Sequence, residues 1–414
     1  MILVNNKILF ILISLVPVTL FTGPFLPGLF LSISSLYFLF FLDKYSFKKY
    51  FLNIFSLIFF SWCVYIILLS LFSSNISLSL ESSLFYFRFG IFSLAIWFAL
   101  DTDSKFINYF LYSLIFSLSF VIFDAYFQLI FGYNVLNYQL DTERLSGIFD
   151  DEKILGSYLA RLSPILLILS LYPNNNFKKI TFLSITIFIA SIILIYYSGE
   201  RSAIGLLVIT IFLLFIFVNI SFFKKIIILL TIFFISLIFF LLSDHITNRI
   251  IDKTIEQIYD NDKLIWFSIQ HEAHAKTALK ITMDDNNYIF GIGPKMFREI
   301  CKSYPTYHPD HGDTITGCST HPHNTYLQLI SETGIIGAVP IFLIFIMICF
   351  VFIKRLWNRA FDQNYLYDYK ILLLIPIFVS IFPIIPTGSF FNSWISIIYF
   401  LPIGFFLYEH FRVN

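Results

Sequence analysis

Residues 226–242 read IIILLTIFFISLIFFLL, an apolar run interrupted only by one threonine and one serine. Similar runs recur along nearly the whole chain of 414 residues, of which 58% are hydrophobic and 13% are charged. A soluble domain carries about 25% charged residues. Long apolar runs are typical of transmembrane helices, whereas the strands of a membrane barrel alternate between polar and apolar residues. The sequence therefore predicts an all-α polytopic membrane protein.

The apolar runs and the loops between them predict the topology. We expect about twelve transmembrane helices, at residues 8–21, 24–42, 51–73, 83–100, 106–131, 154–172, 180–197, 202–220, 226–243, 325–353, 371–386 and 393–409. We read the first as a membrane span that is retained and not as a cleaved signal peptide. Loops rich in lysine and arginine alternate with loops poor in them, which places both termini in the cytoplasm. The chain then divides into helices 1–9 (1–243), one long outer, periplasmic loop (244–324) and helices 10–12 (325–414).

The long outer loop concentrates the polar chemistry. It holds seven of the eight histidines: His245, His271, His274, His308, His311, His321 and His323. The net charge of +1 gives no reason to expect a nucleic acid partner. A functional site on the outer face of the membrane is therefore the first hypothesis.

Two cysteines of the outer loop, Cys301 and Cys318, are separated by sixteen residues. In an oxidising compartment we expect them to form a disulfide that stiffens the loop. Two free thiols are the plain alternative. A metal site is the other alternative, since ligand-type side chains recur from 308 to 323. Its candidate ligands are His308, His311, Cys318, His321 and His323.

Arginines cluster near the outer ends of the predicted helices. Arg88 and Arg161 lie inside the fourth and sixth spans, and Arg144 and Arg201 lie in outer loops. A charge inside a span is costly and marks a functional candidate, and guanidinium groups suit phosphate. The alternatives are that these arginines anchor helix ends at the lipid headgroups and that Asp124, in the fifth span, neutralises one of them.

The stretch HPHNTYLQLISETGIIG (321–337) opens the tenth span. A neutral His323 imidazole is suited to accept a proton from a sugar hydroxyl, although it is equally suited to start a helix. Glu332 lies about two and a half turns deeper, and Gly334 and Gly337 offer a small-residue face for helix packing.

This stretch resembles the pattern of the O-antigen ligase superfamily, which includes O-antigen polymerases: His323, Asn324, nine residues, Gly334, two residues and Gly337. SGERSA (198–203) resembles the short loop that carries a functional arginine in the family. RLSGIFDDEKILGSYL (144–159) and IFGIGPKMFREIC (289–301) resemble two further loops. Many members have an arginine and a tryptophan where this chain has QHEAHAKTA (270–278), so Arg298 is our candidate for the second loop arginine.

The resemblance implies a glycosyltransferase in a bacterial inner membrane that uses no cofactor or metal. The donor would be an undecaprenyl-diphosphate-linked glycan, and the acceptor a lipid A–core sugar hydroxyl. His323 and Arg201 would be catalytic. The expected substrate-binding residues are Arg88, Arg144, Arg161, Arg298, Asn324, His321 and Glu332. The rival readings are a polymerase that joins lipid-linked repeat units and a transporter of the same lipid.

Overall fold

The computed structural model describes residues 6–141, 144–172, 178–242, 252–260, 263–264, 268–284, 287–304, 307–308, 312–361 and 369–412. Two of the loop histidines, His245 and His311, lie outside the described residues.

Helices account for most of the described chain, because backbone N–H and C=O groups in lipid must be satisfied within their own segment. The long or apolar helices are α1 (Asn6–Thr19), α2 (Phe25–Phe40), α3 (Lys44–Phe51), α4 (Ile54–Ser70), α5 (Ile76–Ser83), α6 (Phe87–Thr102), α7 (Phe106–Phe131), α8 (Leu155–Ser170), α9 (Lys178–Tyr197), α10 (Arg201–Phe217), α11 (Phe222–Leu242), α16 (Thr325–Phe361), α17 (Tyr369–Ser380) and α18 (Ser393–Phe411). Each predicted span contains one of these helices. The prediction of a helical polytopic membrane protein is confirmed.

The number of membrane crossings is less well determined than the helices. Within the described residues, five helical segments are long and apolar enough to span a bilayer, and α3 with α4, bent by 79°, adds a sixth if the pair is one span. Twelve crossings therefore stay a prediction. The fourth predicted span, 83–100, falls within the candidate span Ile76–Thr102, in which α5 ends at Ser83 and α6 begins at Phe87.

The long loop is built from short elements. Its helices are α12 (Lys253–Ile258), α13 (Ile269–Met283), α14 (Asn287–Phe290) and α15 (Phe297–Ile300), followed by a 3₁₀ turn at Cys301–Ser303. Strands β1 (Tyr259–Asp260) and β2 (Lys263–Leu264) pair antiparallel, as do β3 (Tyr307–His308) and β4 (Gly312–Thr316). These two small hairpins depart from the all-α expectation.

A disulfide joins Cys301 to Cys318, with 5.1 Å between their Cα atoms. It lies beside a small buried cluster formed by Ala278, Ile281 and Phe297. The bond ties the end of α15 to the segment that leads to α16, so the free-thiol reading does not describe this loop.

The first and last parts of the chain pack together in the bundle. The hydroxyl of Ser93 in α6 donates to the carbonyl of Phe400 in α18 at 2.6 Å. A Cβ added at Gly404 would lie only 2.7 Å from the Ser93 carbonyl oxygen, so glycine is required for this approach. The indole of Trp394 donates to the Leu20 carbonyl at 2.9 Å. The C-terminal helix is thus held between elements from the start of the chain.

The loop docks on α16 through a backbone contact. The amides of Ile292 and Gly293 donate to the carbonyls of Ser331 (3.1 Å) and Glu332 (2.8 Å). These carbonyls are available because Gly334, at φ 61° and ψ −174°, breaks the regular helix. That conformation is essentially restricted to glycine. Gly334 is therefore a kink residue, and not part of a small-residue packing face as the sequence suggested.

We expect Gly334→Ala to reduce stability by roughly 1–3 kcal/mol from backbone strain alone. The added Cβ would also lie 2.2 Å from the Ile289 carbonyl oxygen, which pushes the loop away. Thermal unfolding of the purified protein measures the effect. Gly28→Ala is the matched control, since a Cβ there meets nothing within 4 Å. Equal melting temperatures for the two variants would contradict this account of the kink.

Candidate active site

A cavity of about 1070 Å³ opens at one end of the bundle. Its walls come from the loops that the sequence placed on the outer side, so these loops converge at one place. The lining residues fall in the segments 20–24, 81–89, 144–161, 200–202, 271–323 and 386–395. Small-molecule sites are typically about 300–1,000 Å³, so this cavity has room for more than one ligand group.

Positive charge dominates the polar lining of the cavity. All five arginines singled out from the sequence line it, together with two lysines: Arg88, Arg144, Arg161, Arg201, Arg298, Lys153 and Lys295. The lining carboxylates are Glu81, Glu152 and Glu200. Both lysines form ion pairs, Lys153 with Asp141 and Lys295 with Glu81. The arginines therefore carry the net positive charge of the site.

Arg161 and Arg88 have hydrogen-bond donors to spare. Arg161 is only 4% exposed, its one hydrogen bond within the described chain is a long one to the Ser157 carbonyl (3.5 Å), and its Nε has no partner there. Arg88 donates to the Ser393 hydroxyl at 2.8 Å, and its Nε is likewise unpartnered among the described residues. A guanidinium removed from water with donors left open is costly, so the open donors of the buried Arg161 and of the half-buried Arg88 are suited to an anionic ligand.

Glu200 forms no ion pair with its neighbour Arg201 among the described residues. Its carboxylate instead accepts hydrogen bonds at the start of α8, from the Gly156 amide (2.7 Å), the Ser157 amide (3.1 Å) and the Ser157 hydroxyl (2.6 Å). Burial raises the pKa of the Glu200 carboxyl, and these hydrogen bonds oppose the rise. Glu200 thereby fixes the start of α8 against the start of α10, where Arg201 is the first residue.

Asp124 anchors a loop and does not neutralise an arginine. Its carboxylate accepts from the Val135 amide (3.0 Å) and the Asn134 side chain (3.3 Å). One turn along α7, Gln128 accepts from the Gly147 amide at 2.7 Å. These bonds hold the ends of the loop that carries Arg144.

Three histidine rings surround the ring of His323. The centroid distances are 4.1 Å to His321, 5.1 Å to His274 and 5.7 Å to His271. His271 and His274 lie on α13 of the loop, one turn apart, so α13 forms one side of this cluster. The ring nitrogens of His323 have no hydrogen-bond partner among the described residues, and the residue lines the cavity. Its ring is therefore accessible to a substrate hydroxyl.

Hydrogen bonds orient His321 and the backbone of His323. The Nε2 of His321 lies 3.2 Å from the Thr387 carbonyl, which can only accept, so Nε2 carries the proton. Nδ1 is then the acceptor for the Thr320 hydroxyl at 3.0 Å. His323 has a left-handed φ of 55°, and its carbonyl accepts from the Thr387 amide at 2.9 Å. His323 is thus held before the helix and does not start it.

Burial keeps the histidine cluster neutral. It lowers the pKa of His323, and it lowers the pKa values of His271 and His274 to about 4 and that of His321 to about 3, aided by mutual repulsion. A neutral His323 is the form that accepts a proton.

Two predicted substrate-binding residues lie off the cavity. Asn324 caps α16 by accepting from the Tyr326 and Leu327 amides, and it donates to the Pro383 carbonyl at 2.7 Å. Glu332 is fully buried and accepts from the Phe297 amide at 3.1 Å. Both hold the walls in place, whereas His321 and Arg298 line the cavity.

The sequence reading missed one wall of the cavity, the segment 386–395, which runs from the loop after α17 into the first turn of α18. It contributes the hydroxyl groups of Thr387, Ser389 and Ser393 and the rings of Phe391 and Trp394. The apolar part of the lining comes from this segment and from earlier ones: Leu20, Pro24, Phe85, Phe89, Phe149, Ile154, Phe391, Trp394 and Ile395. The density of hydroxyl residues beside Gly388 was the only signal of it in the sequence.

The metal alternative has little support in the described residues. Cys318 is in the disulfide, and no group of three potential ligands that could hold a metal ion occurs among the residues described. His311, one of the candidate ligands, lies outside them.

The neutral histidines predict acid sensitivity. Their folded pKa values lie below the unfolded value of about 6.5, so below that pH the unfolded chain binds protons that the folded chain does not. Stability should fall as the pH is lowered from 6.5 towards 4 and should gain nothing from these groups above 6.5. His274→Gln should flatten this fall between pH 7 and 5. Thermal unfolding across that range tests this, and an unchanged slope in the variant would contradict it.

The match to a known family falls on part of this site. No curated protein matches the chain. A family model described as O-antigen ligase matches residues 186–342, which include Arg201, the whole of the long loop (244–324) and the stretch from His323 to Gly337. The resemblance of this chain to the O-antigen ligase superfamily is therefore confirmed.

Proposed function

We propose that the protein is an O-antigen ligase-type glycosyltransferase that moves a glycan from undecaprenyl diphosphate to a sugar hydroxyl of lipid A–core. One observation carries the proposal. Arginines whose Nε donors have no partner among the described residues, a neutral histidine and apolar side chains line a single cavity in a chain that carries the O-antigen ligase match.

The cavity lining fits the two parts of the donor. Arg88, Arg161 and Arg201 would bind the diphosphate, since a guanidinium offers a rigid fork of donors to phosphate oxygens. The apolar lining residues would take the first isoprene units, because Phe85 and Phe89 are close in the chain to Arg88. Arg144, which interacts electrostatically with Glu200, would complete the charge.

The chemistry requires one bond exchange and one proton transfer. The acceptor oxygen attacks the anomeric carbon of the donor sugar, and the bond from that carbon to the diphosphate oxygen breaks. The electron pair leaves with undecaprenyl diphosphate, where the arginines stabilise the charge. The hydroxyl proton passes to the open nitrogen of His323. Arg298 and His321 would orient the acceptor beside it.

The disulfide and the distribution of lysines support a location for the site. The Cys301–Cys318 disulfide fits an oxidising compartment such as the periplasm, and the lysine-rich loops lie on segments away from the cavity. We accordingly place the site on the periplasmic face of a bacterial inner membrane, with both termini in the cytoplasm.

We expect His323→Ala to lower the transfer rate by about 10²–10⁴-fold, the usual contribution of a general base. Arg201→Ala should lower it by about 10²–10³-fold, as loss of a charge-stabilising donor does. His410→Ala and Arg359→Ala, which lie away from the cavity, are the matched controls. If either site variant inserts stably and transfers glycan at the normal rate, the proposed mechanism is wrong.

The assay uses purified protein in detergent with a lipid-diphosphate-linked glycan, with and without lipid A–core. Products are separated on gels and identified by mass spectrometry. Glycan on the core that His323→Ala abolishes would establish a ligase. A longer glycan on the carrier without core would establish a polymerase. Absence of any transfer would favour a transporter.

A further inference from the structure

A buried pair of side chains on α16, Gln328 and Glu332, joins two walls of the cavity. Gln328 is 1% exposed and Glu332 is 0% exposed. They lie one helical turn apart, and the Gln328 amide donates to the Glu332 carboxylate at 2.9 Å. Neither residue lines the cavity.

Each member of the pair binds the backbone of a different wall. Glu332 accepts from the amide of Phe297, the residue before Arg298, at 3.1 Å. Gln328 accepts from the amide of Phe390 at 2.8 Å and donates to the Ser389 hydroxyl at 3.0 Å. Both N–H donors of Gln328 and its oxygen are therefore engaged, and its amide orientation is fixed by its partners.

The pair sits where it can set the geometry of the reaction. Gln328 lies five residues after His323 on the same backbone, whose start Asn324 caps. Arg298 is the residue after Phe297, whose amide is bonded to Glu332, and Arg298 also interacts electrostatically with Glu332. A displacement of about 1 Å at a reacting group can cost about 10²-fold in rate.

We propose that Gln328 and Glu332 are positioning residues that hold Arg298 and the 386–393 wall in register with His323. This inference rests on the proposed function. The pair touches no substrate and acts through the two backbone segments that it joins. Its loss would misplace those segments while the bundle stays folded.

An exchange of the two residues offers a sharp test. In Gln328→Glu/Glu332→Gln, the new glutamate can accept from Phe390, Ser389 and the new glutamine, which in turn can accept from Phe297. The charge and all four hydrogen bonds are conserved. Gln328→Glu instead places two carboxylates side by side, and Glu332→Gln removes the charge and leaves the two N–H groups of the new amide in a buried site. The double variant should therefore restore what the single variants lose.

We expect Gln328→Glu and Glu332→Gln each to lower kcat at least tenfold, with KM for the lipid-linked donor changed less than threefold. The exchanged protein should recover kcat to within threefold of wild type. Thr210→Val, a buried change on α10 outside the cavity, is the control. Hydrogen exchange of peptides covering 293–300 and 386–393 gives a readout independent of activity, and should rise in the single variants only.

Three results would overturn the proposal. They are single variants that transfer at the wild-type rate, a double variant that does not recover, and rate losses that merely follow the fall in unfolding temperature. If the wild-type protein transfers no glycan from any lipid-diphosphate donor, the proposed function fails. The positioning role of the pair fails with it, whereas unchanged hydrogen exchange in the single variants would overturn the proposal for the pair alone.

Discussion

The contact between the turn at 291–293 and the kink at Gly334 is the constraint on which the site depends. It replaces two bonds of the helix by bonds to the loop, Ile292 to Ser331 and Gly293 to Glu332. The described part of the long loop has one small buried cluster of its own, so this backbone contact and the disulfide give it a fixed place on the bundle. Once it is fixed, α13 brings its histidines to His323.

The charged groups around the cavity differ in how fully they are hydrogen-bonded. Glu200 and Asp124 are buried but accept several hydrogen bonds each, so they serve as structural anchors. The Nε donors of Arg161 and Arg88 have no partner in the part of the chain that the structure describes. A buried charge that is satisfied stabilises one arrangement, whereas one that is left open requires a ligand. This difference in hydrogen bonding distinguishes Glu200 and Asp124, which support the fold, from Arg161 and Arg88, which are placed to bind substrate.

The sequence predicted those parts of the site that can be recognised from neighbouring residues in the chain. Arginines inside apolar spans, and a histidine at the start of one, stand out because the residues around them are apolar. The kink at Gly334 was not predictable, since a small residue in a membrane helix more often serves packing. The partner of Asp124 and the pair Gln328–Glu332 were also missed, because each depends on a backbone segment that approaches from elsewhere in the chain. The 386–395 wall was missed for the same reason.

The walls of the cavity run from Leu20 to Ile395, and Trp394 closes onto Leu20 across 374 positions of the chain. A ribosome-bound chain therefore cannot complete this site until its final helix has entered the membrane. Before that, the arginines of α6 and α8 face an unfinished bundle. The site is therefore completed only when the last helix is inserted. A chain shortened at its C-terminus would lack one wall of the cavity even though the arginines and histidines that line it are present.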